Sequence, residues 1–104
     1  MADIIERTGN ATRKQQTVAP PKRYHVVFLN DNVTLVDFVT EILGMVFHMS
    51  DEQATDLIFR IHLSESGVAG TYTLEVAQQK QYEALDHARK EGFPLQIILD
   101  EADT

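Results

Sequence analysis

Few side chains in this chain of 104 residues could take part in chemistry. The main candidates are the consecutive polar residues Asn30, Asp31 and Asn32, which follow an apolar segment, and His62, which lies in a helical pattern. The other three histidines are scattered along the chain. No His-Glu-x-x-His pair, glycine-rich phosphate loop or nucleophile elbow occurs. Catalysis would therefore have few groups to draw on.

A metal centre and a small hydrolase are two catalytic alternatives, and both would depend on His62 and Asp31. A metal needs three or four converging ligands, and at best one further acid could join this pair. A hydrolase would need a nucleophile beside the pair, but no serine lies in a recognised activating context and cysteine is absent. We therefore predict a protein that is not an enzyme and that holds no metal and no cofactor. By itself, His62 would pass as an ordinary structural or surface histidine.

Charge is unevenly distributed along the chain. The net charge is −7, and residues 1–23 hold five basic and two acidic side chains, or +3, so residues 24–104 carry −10. Such an acidic surface repels phosphate backbones. No apolar run reaches the ~18 residues of a spanning helix, and the first 23 residues lack the apolar core of a signal peptide. We expect a cytoplasmic protein that binds neither nucleic acid nor membranes.

Apolar periodicity predicts six elements in the order β-α-α-β-α-β. A β-branched and aromatic run from Tyr24 to Leu29 predicts a strand that is buried on both faces, and the three Asx residues after it predict a turn. Thr34 is expected to cap the first helix, with Asp37 near its positive end. The core-facing stripe of that helix consists of Leu35, Phe38, Val39, Ile42, Leu43, Val46 and Phe47.

Caps and turn residues bound the remaining elements. Ser50 and Gln53 predict a capping box for the second helix. Its inward face consists of Ala54, Leu57, Ile58 and Ile61. A strand over 69–73 and a third helix that ends at Gly92 follow, and a strand over 94–99 completes the domain. The predicted fold class is α+β, with three helices packed on a three-stranded antiparallel sheet.

The N-terminal segment differs in composition from the rest of the chain. Residues 1–21 are rich in Ala, Thr, Gln, Asn and charge, show no apolar period, and end in Pro20-Pro21, which favours extended backbone. We predict a flexible arm over 1–21 and a folded domain over 22–104. Composition alone favours a terminus without a function over a tether or delivery element.

The chain resembles the ClpS family at the candidate residues. Pro20-Pro21, the segment from Tyr24 to Asn32, and Thr34 look like the family's opening, in which a Pro-Pro junction, a strand and an Asn-Asp-Asp-x-Thr turn precede helix one. Further signatures follow in register: Phe38-Val39, Ala54-Thr55, Ile61-His62, the segment from Gly70 to Lys80, and Pro94-Leu95. The resemblance covers about residues 20–101 without a gap.

The resemblance implies an adaptor of the bacterial N-end rule. Such a protein captures substrates that begin with Phe, Tyr, Trp or Leu and delivers them to a ClpA-type AAA+ unfoldase for degradation by ClpP. A free α-amine is cationic below a pKa of about 8, so its binding calls for hydrogen-bond acceptors. The residues implied to bind this amine are Asn30, Asp31, Asn32 and His62. Those implied to form the hydrophobic pocket for the first side chain are Thr34, Val36, Val39, Ile58, Ile61 and Leu95.

A second surface is implied for the unfoldase. The matching positions are Glu75 and Lys80 on the third helix, and the arm is implied to engage the unfoldase during delivery. We expect the adaptor to be a monomer. Asn32 stands where the family usually has a second acid, and Val36 where many members have methionine, so the preference among first residues stays open. The alternative is a ClpS-fold module that modulates the unfoldase or binds a different ligand.

Overall fold

The computed structural model describes residues 19–103 and contains the six predicted elements in the predicted order. They are β1 (Arg23–Leu29), α1 (Val36–Phe47), α2 (Asp51–Ser64), β2 (Ser66–Thr73), α3 (Leu74–Lys90) and β3 (Gln96–Glu101). The central strand β1 pairs antiparallel with both β2 and β3. The helices pack on this sheet, so the predicted α+β fold is confirmed. Most of the predicted arm, residues 1–18, lies outside the described residues.

The hydrophobic core lies between the sheet and the helices. Val26 and Phe28 of β1 and Ile42 and Leu43 of α1 are each at most 1% exposed. The rings of Phe28 and Phe47 meet edge to face, with centroids 5.5 Å apart, which is a favoured aromatic geometry. Burial of each such side chain contributes roughly 1.5–3 kcal/mol. The core therefore anchors the end of β1 and the body of α1, the two elements that flank the polar loop.

The first helix begins later than the sequence predicts. Leu35 is the N-cap and makes no side-chain cap bond, whereas the Thr34 hydroxyl donates a 2.9 Å hydrogen bond to Asp31 Oδ2. The prediction of Thr34 as the cap is therefore wrong: Asp31 accepts hydrogen bonds from the backbone N–H groups of Val33 and Thr34 and so holds residues 31–34 as a loop, and the helix begins after it. Leu35 is 59% exposed and thus falls outside the predicted core stripe. Asp37 lies in the first turn, as predicted.

The connection from α2 to β2 is a single residue. The predicted capping box starts α2, with Ser50 Oγ accepting from Gln53 N and Gln53 Oε1 accepting from Ser50 N. Glu65 then ends the helix in the left-handed conformation (φ 71°), so β2 begins at once, three residues earlier than predicted. Gly67 allows β2 to approach α2, because a Cβ there would lie 2.8 Å from side-chain atoms of Leu57 and Ile61. The last turn of α2 is thereby held against the sheet.

Candidate functional site

One cavity of about 450 Å³ opens between the loop after β1, the start of α1, and the face of α2. It is lined by all ten residues that the sequence assigns to amine binding and to the hydrophobic pocket. These residues come from positions as distant as 30 and 95, so only the fold brings them together. The volume lies in the range of typical ligand sites, roughly 300–1,000 Å³. The assignment of each residue to a part of a ligand stays a prediction.

Asn30 and His62 reach the same cavity because the end of β1 is tied to the end of α2. The backbone N–H of Asn30 donates a 2.9 Å hydrogen bond to the carbonyl of Glu65, the residue that terminates α2. His62 lies one turn earlier on that helix, and both residues line the cavity. Asn30 is half-buried and His62 is exposed. A side-chain carbonyl oxygen and an imidazole nitrogen can therefore both border a ligand at this rim.

The Asp31 carboxylate is occupied mainly by its own loop. Oδ1 accepts from the backbone N–H groups of Val33 and Thr34 at 2.8 and 2.6 Å, and Oδ2 accepts from the Thr34 hydroxyl. Burial acts to raise the pKa of Asp31, but the hydrogen bonds from Thr34 and Val33 outweigh it, and the pKa lies below the ordinary 3.8. The carboxylate thus remains ionised at neutral pH. It holds the loop in shape and gives the rim a negative charge.

The inner wall of the cavity is apolar. Leu95, just before β3, is 2% exposed and Ile61 is 7% exposed, so both belong to the core as well as to the cavity. Ile58 and Val39 are half-buried, whereas Val36 is 59% exposed. Exposure therefore increases from Leu95 at the bottom to Val36 at the mouth. A ligand side chain that reaches the inner wall would contact apolar groups and lose contact with water there.

Four further lining residues are absent from the sequence-based set: Phe28, Leu29, Thr55 and Phe59. Thr55 and Phe59 could have been found, because positions 55, 58, 59 and 62 are spaced i, i+3, i+4 and i+7 and share one face of α2. Phe28 and Leu29 end a strand whose pattern is that of ordinary core. No local signal distinguishes these two from buried strand residues.

Across residues 19–103, no group of three or more His, Cys, Asp or Glu side chains is placed to hold a metal ion. Within the same range, no helix has the length and apolar character to cross a membrane.

The two residues assigned to the unfoldase, Glu75 and Lys80, lie on α3 outside the cavity lining. Glu75 is exposed in the first turn. The Lys80 ammonium is half-buried and donates a 2.8 Å hydrogen bond to the carbonyl of Val46 in the last turn of α1. It also lies 5.8 and 5.3 Å from the ring centroids of Phe47 and Tyr72. Because α1 has no basic residue in its last turn, Lys80 supplies the positive charge that this helix end favours.

This geometry predicts that Lys80→Ala lowers the stability of the domain. A hydrogen bond from a charged donor contributes about 1.5–3 kcal/mol, and exposure of the site reduces this, so we expect a loss of roughly 1–2 kcal/mol. Urea unfolding measures the change. The control is Lys90→Ala on the same helix, because Lys90 is exposed and pairs only with Asp86. Equal midpoints for wild type and Lys80→Ala would show that the contact with Val46 does not stabilise the fold.

The fold and the cavity together define a small α+β domain built around a ligand-binding pocket, with an apolar interior and a polar rim. The chain belongs to the ClpS family, because the family model described as ATP-dependent Clp protease adaptor protein ClpS matches residues 19–98. Membership of this family makes it an adaptor of the Clp protease in protein degradation. The family relatives are named as adaptors and not as enzymes.

Individual relatives support this conclusion. The chain is 45% identical to the ATP-dependent Clp protease adapter protein ClpS of Neisseria meningitidis over 82 residues, covering 79% of this chain and 80% of the relative. It is 43% identical to the ClpS of Campylobacter jejuni over 90 residues, 86% of this chain and 94% of the relative. Among solved structures, Agrobacterium tumefaciens ClpS2 bound to L-phenylalaninamide is similar, with a TM-score of 0.77 and 34% identity. That match covers 80% of this chain and 100% of the other.

Proposed function

We propose that this adaptor binds the free α-amino group and the bulky hydrophobic first side chain of N-degron substrates, and delivers them to a ClpA-type AAA+ unfoldase for degradation by ClpP. The observation that carries the proposal is a single cavity with an apolar bottom at Leu95 and Ile61 and hydrogen-bond acceptors at its rim. A protein N-terminus with a large apolar first residue has the same two chemical parts, a hydrogen-bond donor group next to an apolar side chain.

The rim suits a cationic amine. A protonated α-amine presents three donors, and the rim offers the side-chain oxygen of Asn30 and the imidazole of His62, one nitrogen of which accepts when the ring is neutral. Asp31 adds an ionised carboxylate next to them, although its hydrogen bonds to the loop hold its own oxygens. Asn32, which is exposed and lines the cavity, adds a fourth polar side chain. The charge of the bound group would thus be matched without a metal or a second carboxylate.

The cavity interior suits a large apolar side chain. Its walls comprise valine, isoleucine and leucine side chains from α1, α2 and the segment before β3, with Thr34 at one side. L-Phenylalaninamide, the ligand of the similar Agrobacterium protein, is a phenylalanine residue with a free amine. We therefore expect Phe, Tyr, Trp and Leu as first residues. Because Val36 stands where many family members have methionine, the order of affinity among these four first residues has to be measured.

Delivery requires surfaces other than the cavity. The candidates are Glu75, which is exposed on α3, and the arm over 1–21, which precedes the domain over 22–104. If extended, an arm of 20 residues would span roughly 70 Å, enough to reach a partner that does not touch the cavity. Lys80 would act at this surface mainly by holding α1 and α3 together. We propose that the adaptor works as a monomer in the cytoplasm.

Degradation of a reporter tests the whole proposal. With ClpA-type unfoldase and ClpP present, the adaptor should accelerate loss of a reporter that begins with Phe, and leave an otherwise identical reporter that begins with Gly unaffected. A variant that lacks residues 2–18 should bind Phe-initiated peptide normally but fail to accelerate degradation. If the adaptor slows both reporters equally, it modulates the unfoldase without selecting N-termini, and the proposed substrate class is wrong.

A further inference from the structure

Two strongly exposed apolar side chains line the cavity, Val36 and Phe59, and three more are sequence neighbours of lining residues. Of the six most exposed large apolar side chains in residues 19–103, five lie at the mouth or next to a residue that lines it. These five, each 59–65% exposed, form what we call the apolar rim: Val33, Leu35, Val36, Phe59 and Leu63. Clusters of exposed apolar side chains on a small monomeric protein mark binding surfaces.

Phe59 is the largest member of the apolar rim and is placed to meet a ligand. It lines the cavity on the same face of α2 as Ile58 and His62, within one helical turn of the imidazole. It is nevertheless 62% exposed, whereas Ile61 deeper in the wall is 7% exposed. The ring therefore borders the opening and not the bottom. Val36 of α1, also lining the cavity and 59% exposed, makes the opening apolar on a second helix.

The substrate chain itself is the occupant that fits this surface. If the first residue fills the cavity, the second and third must leave through its opening, since consecutive Cα atoms are only 3.8 Å apart. They therefore pass within side-chain reach of Phe59, and an apolar side chain at either position could cover the ring. The inference rests on the proposed function, because it requires a first residue in the cavity.

We propose that Phe59 is a further specificity-determining residue, which binds an apolar side chain at the second or third residue of the substrate. Substrate selection then depends on two contacts. The cavity binds the first side chain, and Phe59 binds an apolar side chain at the second or third residue. A substrate with a suitable first residue and glycine at both following positions would bind without the second contact. Phe59 contributes little to the fold, because most of its surface is exposed in the free protein.

The test uses free-amine peptides that all begin with Phe and differ only at position two or three, where glycine is replaced by leucine. Leucine at one of these positions should tighten binding about three- to tenfold, as measured by fluorescence anisotropy. Phe59→Ala should remove this gain while it still prefers Phe over Gly as the first residue. Tyr82→Ala is the matched control, because Tyr82 is an equally exposed aromatic on α3 outside the cavity lining.

The outcomes distinguish a failure of the Phe59 contact from a failure of the proposed recognition of N-termini. Equal affinity for glycine and leucine at both positions, or a gain that survives in Phe59→Ala, would overturn the role of Phe59 alone. Equal binding of the same peptides after N-acetylation would overturn the proposed function instead. Sedimentation of the protein over a range of concentrations covers self-association: a dimer that Phe59→Ala dissociates would assign the apolar rim to a second copy of the chain and overturn the inference.

Discussion

A Phe-initiated peptide should lose at least a hundredfold in affinity for this adaptor when its N-terminus is acetylated. Acetylation removes the positive charge and two of the three donors of the amine. Each hydrogen bond from a charged donor is worth about 1.5–3 kcal/mol, so the loss of the bonds to Asn30 and His62 amounts to roughly 3–6 kcal/mol. At about 1.4 kcal/mol per factor of ten, this corresponds to a factor of hundreds or more.

The steric effect of acetylation acts in the same direction. Asn30 is tied through its backbone to Glu65, and the neighbouring loop is held by three hydrogen bonds to Asp31, so the rim has little freedom to make room for an acetyl group. Anisotropy titrations of a free and an acetylated peptide measure the combined effect. A third peptide with hydroxyl in place of the amine separates charge from bulk. Superimposable titration curves for the three peptides would exclude amine recognition at this rim.

The order of elements could be predicted because the local signals agree with the packing. The Ser50–Gln53 capping box forms as predicted, and Gly92 takes a positive φ of 80° at the end of α3. The run from Tyr24 to Leu29 is the central strand of the sheet, and its residues Val26, Val27 and Phe28 are buried. Serine at a helix start and glycine just after a helix end each have one strongly preferred structural role.

The start of α1 could not be predicted because Thr34 suits either of two local structures, a helix cap or a turn closed by Asp31. In the structure, Asp31 accepts hydrogen bonds from the backbone N–H groups of Val33 and Thr34 and from the Thr34 hydroxyl, so Thr34 belongs to the loop. Sequence spacing does not show which of the two structures forms. The hydrogen bond of Lys80 to α1 could not be predicted for a different reason. Its acceptor, Val46, is 34 residues away, and only the packing of α3 against α1 brings the two together.

Some residues of the candidate site could likewise be predicted from the sequence, and others could not. Helical spacing indicates that Ile58, Ile61 and His62 share a face, but the same spacing is equally typical of a core. The structure shows that all three line an open cavity, with Ile61 buried at its inner wall and Ile58 and His62 nearer to solvent. Leu95 lies in the site because β3, which begins at the next residue, pairs with β1. No local sequence pattern predicts this pairing. Phe59 shares the helical face of Ile58 and His62, so its place at the cavity follows from spacing once that face is known to border an opening.

His62→Ala should weaken the binding of a Phe-initiated peptide by roughly 10- to 100-fold, which is the value of one hydrogen bond to a charged donor. The imidazole is exposed and is not part of the hydrophobic core. The free energy of unfolding should therefore change little, because substitutions at exposed positions are usually neutral within about 0.5 kcal/mol. The substitution would thus weaken peptide binding and leave the stability of the fold nearly unchanged.

Three variants make the measurement specific to the ring nitrogen. His62→Gln keeps a hydrogen-bond acceptor at the rim and should recover part of the affinity, whereas His62→Leu keeps the bulk without an acceptor and should not. His87→Ala is the control, since His87 is an exposed histidine on α3 outside the cavity lining. Peptide titration and thermal unfolding are recorded for all of them. If His62→Ala lowers the melting temperature by as much as a core substitution, the histidine is structural. If His62→Leu binds as tightly as wild type, an acceptor at this position is not needed, and the amine must be held by the loop from Asn30 to Asn32 alone.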